Sequence, residues 1–203
     1  MVNYLDIKDN IVALATADGL ASVSIIRVSG KNLSGVCQLI TKKKKIPKSN
    51  SICFYKIYSP YNKDHLDDGL ISFFTNKNSF TGEDVLEINC HGGNYVASNI
   101  INHIIMSKCA RHALPGEFSF RSFYNGKIDL VQAESINDLI ESETNVYAEK
   151  ALDNINGKLS EIINDIKNKA LKTITLIEHE LDFNEEEIVF TKNKDIIQQL
   201  VNI

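Results

Sequence analysis

Glu87, Arg27 and Lys127 are side chains of this sequence whose type and setting could do chemistry. The run Asp84-Val85-Leu86-Glu87-Ile88-Asn89-Cys90 alternates as a strand does, with Leu86, Ile88 and Cys90 on one face and Val85, Glu87 and Asn89 on the other. Glu87 therefore points away from the more apolar face. A carboxylate presented in this way can accept two adjacent N–H groups as a fork, or it can be a solvated carboxylate paired to a neighbouring lysine. Arg27 lies between Ile26 and Val28, and a guanidinium on so apolar a strand is costly unless it meets an acceptor. Lys127, in the turn Asn125-Gly126-Lys127, is a mobile point charge suited to an anionic group. A salt bridge from either cation to Glu83, Asp84 or Glu117 is the plainer alternative.

His91-Gly92-Gly93 could suggest a metal ligand or a catalytic base, because histidine titrates near neutrality. The other histidines, His65, His103, His112 and His179, are scattered, and no Cys/His zinc spacing is present. The two glycines read instead as positions of close backbone approach, and Cys90 as a buried structural thiol. Nucleotide hydrolysis by a phosphate loop needs Gly-x-x-x-x-Gly-Lys-Ser/Thr. At the Gly-Lys pairs 30–31, 126–127 and 157–158, the first glycine is replaced by Ile25, Arg121 and Leu152, and none of the pairs is followed by Ser or Thr. The expectation is that this chain alone does not hydrolyse GTP.

These residues must be positioned by a mixed set of short elements. Residues 11–15 and 22–28 read as strands around a turn at Asp18-Gly19, with a helix over 33–40. The lysine run 42–45 and Pro47 form a loop before strands at 51–58 and 70–74, flanked by Pro60, Asn62 and Asp68-Gly69. The strand 84–90 then passes through the glycine turn into a helix from about 95 to 108, with Val96, Ile100, Ile101, Ile104 and Ile105 at helical spacing. From Leu130 onward there is no proline and one glycine, and helix dominates. Ile155, Leu159, Ile162, Ile166, Ala170, Ile174, Ile177 and Leu181 form one apolar stripe, expected on a single long helix interrupted at Asp182-Phe183-Asn184. A shorter helix carries Leu130, Ala133, Ile136 and Ile140, with an N-cap for the next helix among 142–145. Residues 195–203 begin another apolar-periodic segment that reads as cut mid-element.

The fold class is thus α+β: a mixed sheet with helices over 1–126, then the first part of an all-α region over 127–203. With 203 residues, 43% of them hydrophobic, the chain can bury a sizeable core. A net charge of -4 supplies no uniform basic field for a polyanion, and the lysine run reads as a solvated loop or a positioning phosphate contact. Four widely spaced cysteines without a Cys-x-x-Cys pair suit reduced thiols in the cytoplasm. No apolar stretch approaches the roughly 20 residues a bilayer span needs, so no membrane partner is expected.

Three blocks, in this order, carry a family likeness: 11–16 with Ile26-Arg27-Val28-Ser29-Gly30; 79–88 with Cys90-His91-Gly92-Gly93; and Pro115-Gly116-Glu117-Phe118-Ser119 with Arg121, Phe123 and 125–130. With Gln132-Ala133-Glu134 and Leu181-Asp182-Phe183, the chain resembles the TrmE (MnmE) tRNA-modification GTPases over almost its whole length. The loop Thr16–Ala21 departs from the family pattern, lacking its Pro-rich, Gly-Arg-containing turn, and the run 110–114 is unusual. The resemblance implies an N-terminal domain that binds reduced folate, similar to the tetrahydrofolate domain of aminomethyltransferases, and makes a homodimer. It implies a helical domain into which a GTPase module, with GTP, Mg2+ and K+, is inserted in the family but is absent from this chain. It also implies an FAD-dependent partner, with which the family places an aminomethyl-type group on C5 of the tRNA wobble uridine, using a one-carbon unit from methylenetetrahydrofolate. Arg27, Glu87 and Lys127 match the family's folate-contact positions; no catalytic or metal residue is implied. A ligand-free dimerisation scaffold and a stand-alone folate-dependent one-carbon transferase are the alternatives.

Overall fold

A computed structural model of the chain describes residues 8–43 and 46–182, with Ile197 and Val201 beyond them. It divides into two compact units, Met1–Ile128 and Asp129–Ile203.

The first unit is built on a six-stranded sheet: β1 (Ile11–Leu14), β2 (Val23–Gly30), β3 (Ser51–Tyr58), β4 (His65–Phe74), β5 (Asp84–His91) and β6 (Arg111–His112). Their spatial order is β3-β4-β5-β2-β1-β6. All neighbours are antiparallel except β1 and β6, which are parallel and need the long crossover that α2 (Asn94–Met106) supplies. α1 (Ser34–Thr41) links β2 to β3. One face of the sheet is the core: Val12, Ile26, Val28, Ile71, Leu86 and Ile88 pack with Leu33, Val36 and Ile40 around α1 and with Ile100 and Ile104 of α2. The alternation that puts Leu86 and Ile88 in this core sends Glu87 to the other face.

Three elements lie outside the sequence expectation. β4 begins at His65 rather than Leu70 and runs straight through Asp68-Gly69, because at Gly69 a side-chain carbon would stand 2.4 Å from the Asn89 carbonyl oxygen. The glycine there serves strand contact, not a turn. β6 and the helix α3 (Glu117–Tyr124) carry too few residues, or too aromatic a run, for periodicity to reveal them.

The second unit is helical: α4 (Leu130–Ile140), α5 (Asn145–Ile155) and α6 (Lys158–Asp182). Asp129 and Gln132 form a reciprocal capping box at the start of α4, and the Thr144 side chain caps α5. The apolar stripe is not on one helix. Ile155 ends α5, and Gly157, at φ +92°, turns the chain before α6 carries the rest of the stripe over 25 residues. Phe183, Asn184 and most of the segment 195–203 lie outside the described residues. The architecture is a mixed six-stranded sheet with helices followed by an all-helical region.

Candidate functional site

The β2–β5 register sets Arg27 directly opposite Glu87 on the face away from the core. The same rung continues to Ala13 on β1 and to Ser72 on β4. Across it, Arg27 donates through Nε at 2.9 Å and pairs through Nη2 at 2.8 Å, both to Oε1 of Glu87. The pair is half-buried, with side-chain exposures of 32% and 21%. The ring of Phe118, on α3, stands 5.8 Å from the guanidinium carbon, within cation–π reach. A carboxylate offers about four lone-pair sites, and no described residue donates to Oε2 of Glu87. Oε1 already accepts twice from Arg27, so Oε2 is the oxygen that remains for donors arriving from outside the sheet.

This face has two unlike flanks. Toward the end of β2, Ile11, Ser29 and Val85 are buried, and Ser29 bonds Thr81 at 2.7 Å and Glu83 at 2.9 Å. Toward the start of β2, Val23, Phe54 and Leu70 are 45–65% exposed, and Ile52, on the Arg27–Glu87 rung beyond Ser72, is 65% exposed. Arg27 and Glu87 stand where the covered flank gives way to the open apolar one.

The covered flank is fixed by an ionic cluster that the sequence reading did not assemble. Arg121, fully buried on α3, donates to Glu83 at 2.9 and 3.1 Å, to Glu117 at 3.0 Å and to the Asp9 carbonyl at 2.9 Å. Arg111 forks onto both oxygens of Glu117 at 2.7 Å and also holds Asp9. Burial by itself would raise the Glu117 carboxyl, but Arg111, the Leu114 N–H and Arg121 together hold it down at about 2. Glu83 and Glu117 are therefore partners of Arg121 and Arg111, not of Arg27 or Lys127 as the plain salt-bridge alternative had it. The Glu117/Arg121 spacing of one helical turn was the available signal.

Lys127 is not joined to Arg27 or Glu87 by any hydrogen bond or ion pair among the described residues. Its ammonium donates to the Lys77 carbonyl at 2.8 Å, and its stem lies beside Gly82, where Asn125 also packs. The structure thus brings two of the three expected residues together.

Of the two glycines after β5, Gly92 makes the expected close approach, a side-chain carbon there standing 1.9 Å from the Ala21 carbonyl oxygen, whereas Gly93 has nothing within 4 Å and is suited instead to its φ of +103°. Cys90 is buried, and loss of solvent, then the nearby Asp67 charge, push its thiol up to about 11. His91 has a partner that sequence spacing could not show. Both oxygens of buried Asp67 accept from it, one from the backbone N–H at 2.7 Å and one from ring Nδ1 at 2.6 Å. Burial opposes the Asp67 charge, yet these bonds hold its carboxyl below the usual value. A carboxyl depressed on folding adds stability above its unfolded pKa of about 3.9, and that stability disappears as pH falls through the folded value. Asp67→Asn is expected to cost about 1.5–3 kcal/mol at pH 7 and much less near pH 2, read from urea unfolding at the two pH values. Equal losses at both would show that the carboxylate charge is immaterial.

Two family descriptions match the chain: the N-terminus of the GTP-binding protein TrmE over residues 10–127, and the MnmE helical domain over residues 130–203. The chain is 42% identical over 195 residues to the tRNA modification GTPase MnmE of Psychromonas ingrahamii, covering 96% of this chain and 42% of that protein. It is 41% identical over 199 residues to the protein of that name from Prochlorococcus marinus strain MIT 9312, covering 96% and 43%. It is 40% identical over 198 residues to that of Vibrio cholerae strain El Tor Inaba N16961, covering 96% and 42%. The chain therefore spans about two-fifths of the length of these relatives. With both consecutive regions matched across nearly its whole length, this chain belongs to the TrmE (MnmE) family of tRNA modification GTPases.

Proposed function

We propose that the first unit binds a reduced folate, such as 5-formyl- or methylenetetrahydrofolate, and dimerises, serving a GTPase that modifies C5 of the tRNA wobble uridine with an FAD-dependent partner. The observation that supports this most is the Arg27–Glu87 pair: a half-buried carboxylate with an unused oxygen, beside an aromatic ring, at the rim of an open apolar sheet face. A reduced pterin presents a ring N–H and an exocyclic amino group side by side, the donor fork that such a carboxylate accepts. Phe118 offers its heteroaromatic plane a stacking surface. Lys127 is proposed to meet the anionic glutamyl tail after exchanging the Lys77 carbonyl for it. The open flank formed by Val23, Ile52, Phe54 and Leu70 is the surface through which a second copy would be buried, since a contiguous apolar patch of this kind is unusual on a monomer.

One observation favours a second reading, a dimerisation scaffold without a ligand. Arg27 and Glu87 already satisfy each other, and the loop 16–21, with Leu20 fully exposed, lacks the family's Gly-Arg turn. Calorimetric titration with 5-formyltetrahydrofolate, alongside sedimentation, separates the two. A dimer that takes up one folate per chain is expected; a folded dimer giving no heat would replace the first reading with the second.

A further inference from the structure

Ser72 stands on the same rung as the Arg27–Glu87 pair, between Ile52 on β3 and Glu87 on β5. Because Ile71 belongs to the core, strand alternation sends the Ser72 side chain to the outer face with Glu87. The residue is only 4% exposed, and its hydroxyl has no hydrogen-bond partner among the described residues. Its neighbours on that face, Ile52 across the strand pair and Leu70 and Phe74 along β4, have no polar side-chain group to offer it. A nearly enclosed hydroxyl left in this way is costly. The fully sealed side-chain atoms without a partner among the described residues are His103 Nδ1 and Ser160 Oγ, so the Ser72 oxygen keeps an opening to the outside.

The neighbouring carboxylate leaves a matching deficit. A carboxylate has about four lone-pair sites, and Arg27 takes both of those on Oε1. Only the two on Oε2 are left. The edge of a reduced pterin that meets this oxygen carries three N–H bonds, one on the ring nitrogen and two on the exocyclic amino group. Oε2 can accept the ring N–H and the amino N–H parallel to it. The other amino N–H points past the carboxylate and needs an acceptor of its own. Arg27 fills the β2 side of Glu87, so that acceptor has to come from the β4 side, which is where Ser72 lies.

We infer that Ser72 is a further ligand of the pterin, its hydroxyl oxygen accepting the second N–H of the exocyclic amino group. This assignment rests on the reduced-folate reading of the site. It also fixes the direction of the ring, with the 2-amino group toward β4 and the 4-oxo group toward β2, where the N–H groups of Arg27 that Glu87 does not use can donate to it. Ser72 thereby makes the site selective for a 2-amino pteridine.

The test is titration calorimetry of the full chain with 5-formyltetrahydrofolate, and with the analogue bearing a methyl group in place of the 2-amino group, measured as a competitor. Ser72→Ala is expected to weaken 5-formyltetrahydrofolate about 3- to 10-fold, the effect of one neutral hydrogen bond. The methyl analogue is expected to bind the wild type and Ser72→Ala equally, because it lacks the hydrogen that Ser72 accepts. A general disturbance of the sheet would instead weaken both ligands alike. The melting curve of the variant should match that of the wild type. Unchanged affinity for 5-formyltetrahydrofolate in folded Ser72→Ala, or an equal loss for the two ligands, would overturn the role of Ser72 and leave the folate site standing. A folded wild type giving no heat with 5-formyltetrahydrofolate would overturn the folate reading and this assignment with it.

Discussion

Glu87→Gln is expected to weaken reduced-folate binding by roughly 10- to 100-fold, the loss of a hydrogen-bonded charged acceptor worth about 1.5–3 kcal/mol. Glutamine keeps the volume and the place on β5 opposite Arg27. It replaces one acceptor oxygen with an N–H2 that must face either the Arg27 guanidinium or the pterin amino group, donor against donor. The fold should lose little, because the glutamine carbonyl still accepts from Arg27 and neither side chain is fully buried. Titration calorimetry on variant and wild type, with a melting curve for each, reads the two effects separately. Unchanged affinity in a folded variant would remove Glu87 from the site.

Arg121→Met should have the largest effect on folding. Arg121 is fully buried, and its removal leaves Glu83 and Glu117 in the interior with only Arg111, Ser29 and backbone groups to hold their charges. Deleting one partner of a buried ionic cluster costs about 3–5 kcal/mol, a large part of the 5–15 kcal/mol that usually holds a domain. Because the cluster ties α3 to the Glu83 turn, Phe118 should lose its place over Arg27, and folate affinity should fall even under conditions where the variant is folded. Chemical unfolding followed by tyrosine fluorescence checks the first claim and titration the second. A stability loss under about 1 kcal/mol would mean that the carboxylates find water instead.

Period-two alternation at 84–90 was enough to put Glu87 on the outer face, because Leu86, Ile88 and Cys90 leave no other solution for a sheet with one buried side. Alternation in a single strand says nothing about which strand lies beside it. The Arg27–Glu87 rung depends on β2 and β5 being neighbours, a fact of topology in which the intervening β3 and β4 are placed to the far side. α3 was hidden for a different reason: Phe118, Phe120, Phe123 and Tyr124 have no helical preference to announce, and the helix is held by charge pairs that span the chain from Asp9 to Arg121. His91 and Asp67 likewise meet only because β4 extends into polar residues that look like a turn. In the helical unit, the stripe was legible but its division was not, since Gly157 can be tolerated inside a helix and here ends one.

The pterin assignment is tested most directly by a crystal structure of the chain with 5-formyltetrahydrofolate. The expected result is pteridine density against Phe118, with its ring N–H and exocyclic amino group on Glu87 and its glutamyl carboxylate toward Lys127. Folate bound elsewhere, with the Arg27–Glu87 pair closed and untouched, would contradict it.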